Sequence, residues 1–394
     1  CLHDPVWYDH LPYLPFPPNW PVFAPKDKIG DWLEMYTKVM EVPYWSKTTA
    51  KSATYDEVAK EWTVVVDRDG EEVILRPKQL VMATGMSGKK NVPDFPGMDE
   101  FEGEQHHSSE HPGPDAYVGK RVVVVGSNNS AHDICKALYE TGVDVTMLQR
   151  SPTWISAVPG RDKQADKIRD LLPAGLAHSV IRIKNILFST GFYQFCRRRP
   201  KAARRLLTNL STKILGDEKL VAEHFTPEYN PWDQRLCAVP DADLFKAMKK
   251  GKASVVTDRI ASVRPDGIDL QSGATLPADV IVTATGLQLL AFGGIEPKVD
   301  GTTVDLSKQF VWQGAMMTGV PNFAICIGYT NASWTLRADL TSRLVCRVLG
   351  YMDDKDFASI VPQPDGPLEE RPLLDLQSGY VQRSIDALRS ISPR

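Results

Sequence analysis

Three observations predict an α/β fold made of two nested β/α units for this 394-residue chain. Two passages follow one strand-turn-strand plan and end on the same tripeptide, at Ala83-Thr84-Gly85 and at Ala284-Thr285-Gly286. Between them, RVVVVGSNNSAHDICKAL (Arg121 to Leu138) reads as a strand running through a glycine turn into a helix. The composition, 42% hydrophobic and 24% charged with a net charge of −3, is that of a globular protein and points away from a nucleic-acid partner. No run of about 18 apolar residues predicts an integral membrane segment. The six cysteines, Cys1, Cys135, Cys196, Cys237, Cys326 and Cys346, form no C-x-x-C pair. That spacing argues against a metal knuckle or a dithiol centre and fits a reducing, cytoplasmic setting.

The elements follow in order. The chain opens on CLHDPVWYDHLPYLPFPPNWPVFAPKDK, rich in proline and aromatic residues, which reads like the middle of a domain. From Glu61 an alternating strand, an Asp69-Gly70 turn and a second strand lead to a short apolar strand ending at Gly85. From Ala253 the plan repeats, with turns expected at Asp266-Gly267 and Ser272-Gly273, and ends at Gly286. Such β-meanders commonly close dinucleotide-binding units, so two nested Rossmann-like domains of the glutathione-reductase type are expected. Each needs its own glycine loop, and only the turn at Gly126 is present. The other would precede Cys1, so the chain reads as N-terminally truncated, with the first Rossmann half missing. Residues from about 161 to 225 have helical apolar spacing broken by Pro173 and Pro200, which predicts a helical insertion. Its basic run, Cys196 to Arg205, reads as a solvated helix face, with a membrane surface or an acidic partner as the alternative. Asn331 to Asp354 predicts an amphipathic helix capped by Asn331 or Ser333.

Against the fingerprint G-x-G-x-x-G/A, the central turn has Gly126, Asn128 and Ala131. Gly126 supplies the tight turn and Ala131 is an allowed small residue. Asn128 replaces a glycine, and a left-handed conformation is expected there because Asn tolerates it best. The backbone N–H groups of Ser127, Asn128, Asn129, Ser130 and Ala131 would face a phosphate at the helix N-terminus; the competing reading is a plain strand-to-helix turn. About 24 residues after Gly126, where an NAD-specific domain carries an acid, the next strand ends in Gln149, Arg150 and Ser151. The guanidinium of Arg150 and the hydroxyl of Ser151 suit a ribose 2′-phosphate, which favours NADPH over NADH.

With QRSPTW, FEGEQHHSS and GYTNASWTLRADL placed around this loop, the sequence resembles the class B flavoprotein monooxygenases over nearly its whole length. These comprise the flavin-containing and the Baeyer-Villiger monooxygenases. Residues 150 to 384, with YNPWDQRLCAVPDADLF and VIVTATGLQL, look closest to the ethionamide-activating Baeyer-Villiger type. The first 150, with PYLPFPPNWPVF and GSNNSAHDI, look more like the flavin-containing branch. The fingerprint F-x-G-x-x-x-H matches at Phe101, Gly103 and His107, while His111 stands where an aromatic is usual and Ser108 where Thr is usual.

The resemblance implies FAD and NADPH as cofactors, and a small-molecule substrate and O2 as partners; a homo-oligomer is compatible with it. It divides the chain into a partial FAD-binding domain (1–112), an NADP-binding domain (113–280) and a returning FAD segment (281–394). Ala83, Thr84, Gly85, Ala284, Thr285, Gly286, Thr330 and Asn331 are implied as cofactor-binding. His107 is implied in a linker that couples the two domains, the alternative being a simple linker hydrogen bond. Arg235 aligns with the arginine that stabilises the C4a-peroxyflavin and the anionic substrate adduct, and otherwise reads as a surface arginine. Asp4 corresponds to an acid that orients it. The implied reaction is Baeyer-Villiger oxidation of ketones or sulfoxidation. Oxidation of soft nitrogen or sulfur by the flavin-containing branch, and a silent NADP-binding fragment or pseudoenzyme, are the alternatives.

Overall fold

The computed structural model describes residues 3, 5–9, 11–85, 87–234, 236–328 and 334–369. The chain divides into two compact units: Cys1–Trp7, Asn19–Ala24 and Lys90–Leu287 form one, and Tyr8–Pro18, Pro25–Lys89 and Gln288–Arg394 the other.

The first unit is built on a five-stranded sheet in the order Ala253–Thr257, Asp144–Gln149, Arg121–Val125, Val280–Thr283, Glu104–His107, parallel throughout. A strand covered on both faces reads as a continuous apolar run, which is why Arg121–Val125 is four valines in succession. Val122 and Val124 pack with Ile134, Cys135 and Leu138 of the helix Asn129–Glu140. Val123 and Val125 turn to the opposite face, against Ile268 and Leu270 of the meander Ile260–Arg264, Gly267–Leu270, Thr275–Pro277. The first turn of that meander lies one residue earlier than expected. Arg264 pairs with Gly267, so Pro265 and Asp266 make the turn and Gly267 opens the strand. A Cβ on Gly267 would sit 2.3 Å from the Leu276 carbonyl oxygen. Gly103 is needed for a similar reason, since a Cβ there would lie 2.3 Å from the Asp279 carbonyl, while Phe101 is buried against the same core.

Residues 90–287 fall within one unit. Residues 104–107 and 280–283 are hydrogen-bonded neighbours in one sheet, which holds 90–112 and 281–287 together with the segment between them. The insertion forms four helices, Lys163–Leu171, Ala174–Arg198, Pro200–Leu215 and Glu218–His224. Pro173 and Pro200 start helices, as their missing N–H allows. Asp162 and Asp217 cap two others by accepting backbone N–H groups.

In the second unit, Thr48–Asp56, Glu61–Arg68 and Glu71–Leu75 form the first meander. Both turn residues, Asp69 (φ 55°) and Gly70 (φ 92°), are left-handed, as the twist of a two-residue hairpin requires. Leu80–Met82 pairs in parallel with Phe323–Ile325 and leads into Ala83-Thr84-Gly85. Tyr55, Trp62, Phe292 and Phe323 form the core. Asn322 organises it. Its Nδ2 donates to the Lys78 and Ala358 carbonyls, its Oδ1 accepts from Ile360 N–H, and its carbonyl accepts from Trp62 Nε1 at 3.2 Å and from Leu80 N–H at 3.0 Å. The C-terminal helix, Trp334–Lys355, contributes Leu344, Val345 and Val348 against Met316 and Ala324. Among the described residues no helix is long and apolar enough to cross a membrane.

Asn322→Ala removes three side-chain hydrogen bonds inside this core and leaves their backbone partners unsatisfied, at a left-handed position (φ 52°) that alanine disfavours. A loss of about 2–5 kcal/mol is expected in denaturant unfolding followed by tryptophan fluorescence; a loss under about 0.5 kcal/mol, the size of an ordinary surface substitution, would contradict this account.

Candidate functional site

The candidate site of the first unit lies at the C-terminal ends of its parallel strands, where an open α/β sheet offers backbone groups to a ligand. Strand Arg121–Val125 ends in Gly126, whose φ of 136° and approach to the next strand both require glycine. A Cβ there would be 2.2 Å from the Ala284 carbonyl oxygen. Gly126 N–H donates to the Leu148 carbonyl at 2.8 Å, and Ala284 N–H to that of Val125 at 2.8 Å, so three strand ends meet at one residue.

Asn128 does not take the left-handed conformation expected of it. Its φ of −82° and ψ of 176° are extended, and it serves as the N-cap of Asn129–Glu140. Its Oδ1 accepts from Ala131 N–H at 3.0 Å while its Nδ2 donates to the Ala284 carbonyl at 2.9 Å. The cap takes the third N–H of the helix and leaves those of Asn129 and Ser130 with no intrahelical acceptor, at the positive end of the macrodipole. Those two N–H groups are the helix-terminal donors that the cap does not take; Ala131, fully buried, packs into the core instead. In the next turn His132 is buried, and burial, only partly offset by the neighbouring Asp133 carboxylate, pushes its pKa down to about 4, so it adds no charge at neutral pH.

The second tripeptide is held by side chains at every carbonyl. Ala284 O accepts from Asn128 Nδ2. Thr285 O accepts from Asn91 Nδ2 at 3.0 Å, and Thr285 Oγ1 donates back to the Asn91 carbonyl at 2.5 Å. Gly286 O accepts from Asn91 N–H at 3.1 Å and lies 3.1 Å from His107 Nε2. Ser109 N–H donates to His107 Nδ1, so the hydrogen-bond network assigns the ring proton to Nε2, which donates to Gly286. The resemblance places His107 in a linker; it is the buried last residue of the edge strand Glu104–His107, fixed there by parallel pairing with Val280–Thr283. Asn91 was not singled out from the sequence, because a lone Asn before V-P carries no motif.

At the neighbouring strand end the side chains diverge. Gln149 points inward, its Nε2 donating to the His224 carbonyl and to Thr257 Oγ1. Arg150 and Ser151 are exposed, and among the described residues Arg150 makes no hydrogen bond or ion pair. Gly126, Ser127, Asn128, Asn129, Ser130 and Ala131 are thus brought together with Ala284, Thr285, Gly286 and His107. Ala83, Thr84 and Gly85 belong to the second unit, where Gly85 is left-handed (φ 70°) and Thr84 is exposed. Asp4, Arg235, Thr330 and Asn331 lie outside the described residues. The segment leading to Arg235 is described. Arg204 donates to the Pro227, Glu228 and Tyr229 carbonyls, Trp154 Nε1 to that of Tyr229, and Arg197 to the Asp233 carboxylate. Two arginines of the basic run are therefore structural, which the charge pattern alone did not separate from its solvated members. Among the described residues no cluster of His, Cys, Asp or Glu is arranged to hold a metal ion.

Asn128→Asp keeps the cap acceptor but loses the donor to Ala284, whereas Asn128→Ala loses both. Denaturant unfolding is expected to show about 1–3 kcal/mol lost for Asp and about 1 kcal/mol more for Ala; an Asp variant as stable as the parent would mean that the tie to Ala284 contributes nothing.

Residues 9–166 match the family model described as flavin-binding monooxygenase-like. The chain is 44% identical over 340 residues to the FAD-containing monooxygenase EthA of Mycolicibacterium smegmatis, spanning 85% of this chain and 69% of that protein. It is 41% identical over 349 residues to the probable FAD-binding monooxygenase AlmA of Acinetobacter baylyi, spanning 86% and 69%. Two solved structures share the fold: an open form of cyclohexanone monooxygenase (TM-score 0.72, 18% identity, 92% of this chain and 80% of that one), and an oxidized steroid monooxygenase bound to NADP (TM-score 0.72, 22% identity, 93% and 78%). The nested α/β architecture, the nucleotide-type turn and these relatives agree: the chain belongs to the FAD-containing monooxygenase family.

Proposed function

We propose that the first unit binds NADPH and that the protein carries out Baeyer-Villiger oxidation of a ketone, or sulfoxidation, with O2. The observation that carries the cofactor choice is Arg150, an exposed guanidinium without a partner among the described residues, at the strand end where an NAD-specific domain holds an acid. The residues present fit the group: Gly126 makes the tight turn that brings the strand end to the helix terminus, the N–H groups of Asn129 and Ser130 would receive the pyrophosphate, and Arg150 with Ser151 would receive the 2′-phosphate. NADP bound to the steroid monooxygenase with the same fold supports the reading. In the second unit Ala83, Thr84 and Gly85, with Thr330 and Asn331 before the helix Trp334–Lys355, are the residues assigned to FAD. The flavin, when bound, supplies the hydride acceptor and the oxygen-activating chemistry.

This chain's own residues would then orient and stabilise. Arg235 provides a fixed positive charge that favours negative charge developing on the substrate carbonyl oxygen, with Asp4 orienting it. Arg204 holds the backbone of 227–229, in the segment that leads to Arg235. His107 and Asn91 fix Gly286 and so keep the nucleotide-binding edge in one conformation. The setting that goes with this reading is the cytoplasm, on the ground that the six cysteines form no C-x-x-C pair in the sequence.

Arg150→Ala is expected to raise the KM for NADPH about ten- to a hundredfold, the worth of a charge-assisted contact, with NADH use unchanged. Equal losses for both coenzymes would remove the 2′-phosphate assignment. Arg235→Ala is expected to abolish ketone oxidation while NADPH binding persists; unchanged turnover would point instead to heteroatom oxidation, which requires no fixed cation.

A further inference from the structure

The two longest helices of the insertion carry a surface that neither the nucleotide site nor the core uses. Residues 174–215 contain nine Lys and Arg and no Asp or Glu, on a chain whose net charge is −3. Of these cations Arg197 and Arg204 hold the segment before Arg235, and Lys184 pairs with Asp162. Arg198, Lys201, Arg205 and Lys213 are exposed and make no ion pair among the described residues. On Ala174–Arg198 large apolar side chains stand exposed among small polar ones: Ile183 and Leu187 lie one turn apart, with Leu187 67% and Phe188 70% accessible. Phe188 stacks on Phe192 at 6.4 Å rather than entering the core. On Pro200–Leu215, which packs against that helix, Leu206 and Leu210 are exposed one turn apart and are flanked by Lys201, Arg205 and Lys213.

Large apolar side chains left in water beside unpaired cations, with no carboxylate among them, fit a partner that is both apolar and anionic. A bilayer of anionic lipid has that pair of properties: acyl chains receive Leu187, Phe188, Leu206 and Leu210, headgroup phosphates receive the cations, and the aliphatic stems of Lys and Arg lie along the boundary. Helices displaying these groups on outward faces need no groove. We propose that the exposed faces of Ala174–Arg198 and Pro200–Leu215 dock this protein peripherally on an anionic membrane surface, presenting the insertion to a phase from which an apolar substrate can be drawn.

Vesicle co-sedimentation tests this with the full chain. Binding is expected to phosphatidylglycerol-phosphatidylcholine vesicles and not to pure phosphatidylcholine, and it should be lost as salt is raised. Replacing Arg198, Lys201 and Arg205 together by Gln should weaken binding about a hundredfold, at about fivefold per cation. Leu187→Ser with Phe188→Ser should weaken it even at low salt, with circular dichroism confirming that both variants stay folded. Absence of binding to anionic vesicles, or equal binding by parent and variants, overturns the proposal. So does a lipid-free dimer, seen in sedimentation velocity, that the Leu187→Ser and Phe188→Ser pair dissolves, since a second copy would then cover this face.

Discussion

Three carbonyl groups at the end of one strand govern the nucleotide-type site. Beyond Val280–Thr283 the ladder stops, and the carbonyls of 284, 285 and 286 lose their strand partners at a place where unpaired backbone is costly. Asn128, Asn91 and His107 each supply a donor to one of them. The geometry of the loop follows from that requirement. Gly126 lacks a Cβ because Ala284 O has to come close, and Asn128 is extended because only then can it reach Ala284 and cap the helix at once. The strand end, the loop and the edge strand form one hydrogen-bonded object, on which a phosphate would find its donors already placed.

Much of this was legible from sequence where local chemistry decides. The valine run, the Asp69-Gly70 hairpin, the helix-starting prolines at 173 and 200 and the repeated Ala-Thr-Gly strand ends each state a short-range constraint, and the architecture followed from their order. What was misread depended on distant partners. Gly267 looked like a turn residue but is fixed by the Leu276 carbonyl, a contact made by strand pairing. Asn128 looked like a tolerated left-handed residue because its partner stands 156 residues away. Asn91 carries no signal before the sheet forms, since its reciprocal bonds with Thr285 span 194 residues.

The insertion shows how like charges in one run divide by geometry. Arg204 turns in to gather three carbonyls and to lie over the Trp154 ring at 5.4 Å, while its neighbour Arg205 turns out to solvent. One residue along a helix is about 100° of rotation, enough to separate a positioning group from a surface one. A charge count over the run therefore mixes two populations, and only the outward one remains for recognition.

The placement of Asn128 also bears on how a motif is repaired. A designer guided by the fingerprint would restore glycine at 128 to regain the standard loop. In this chain that change would strip the helix of its cap and free the Ala284 carbonyl, slackening the edge it was meant to perfect. Agreement with a consensus is therefore a poor guide to fitness at a position whose side chain has been recruited as a brace; the substitution belongs to a matched set with Gly126 and Ala284, and would have to be transplanted with them.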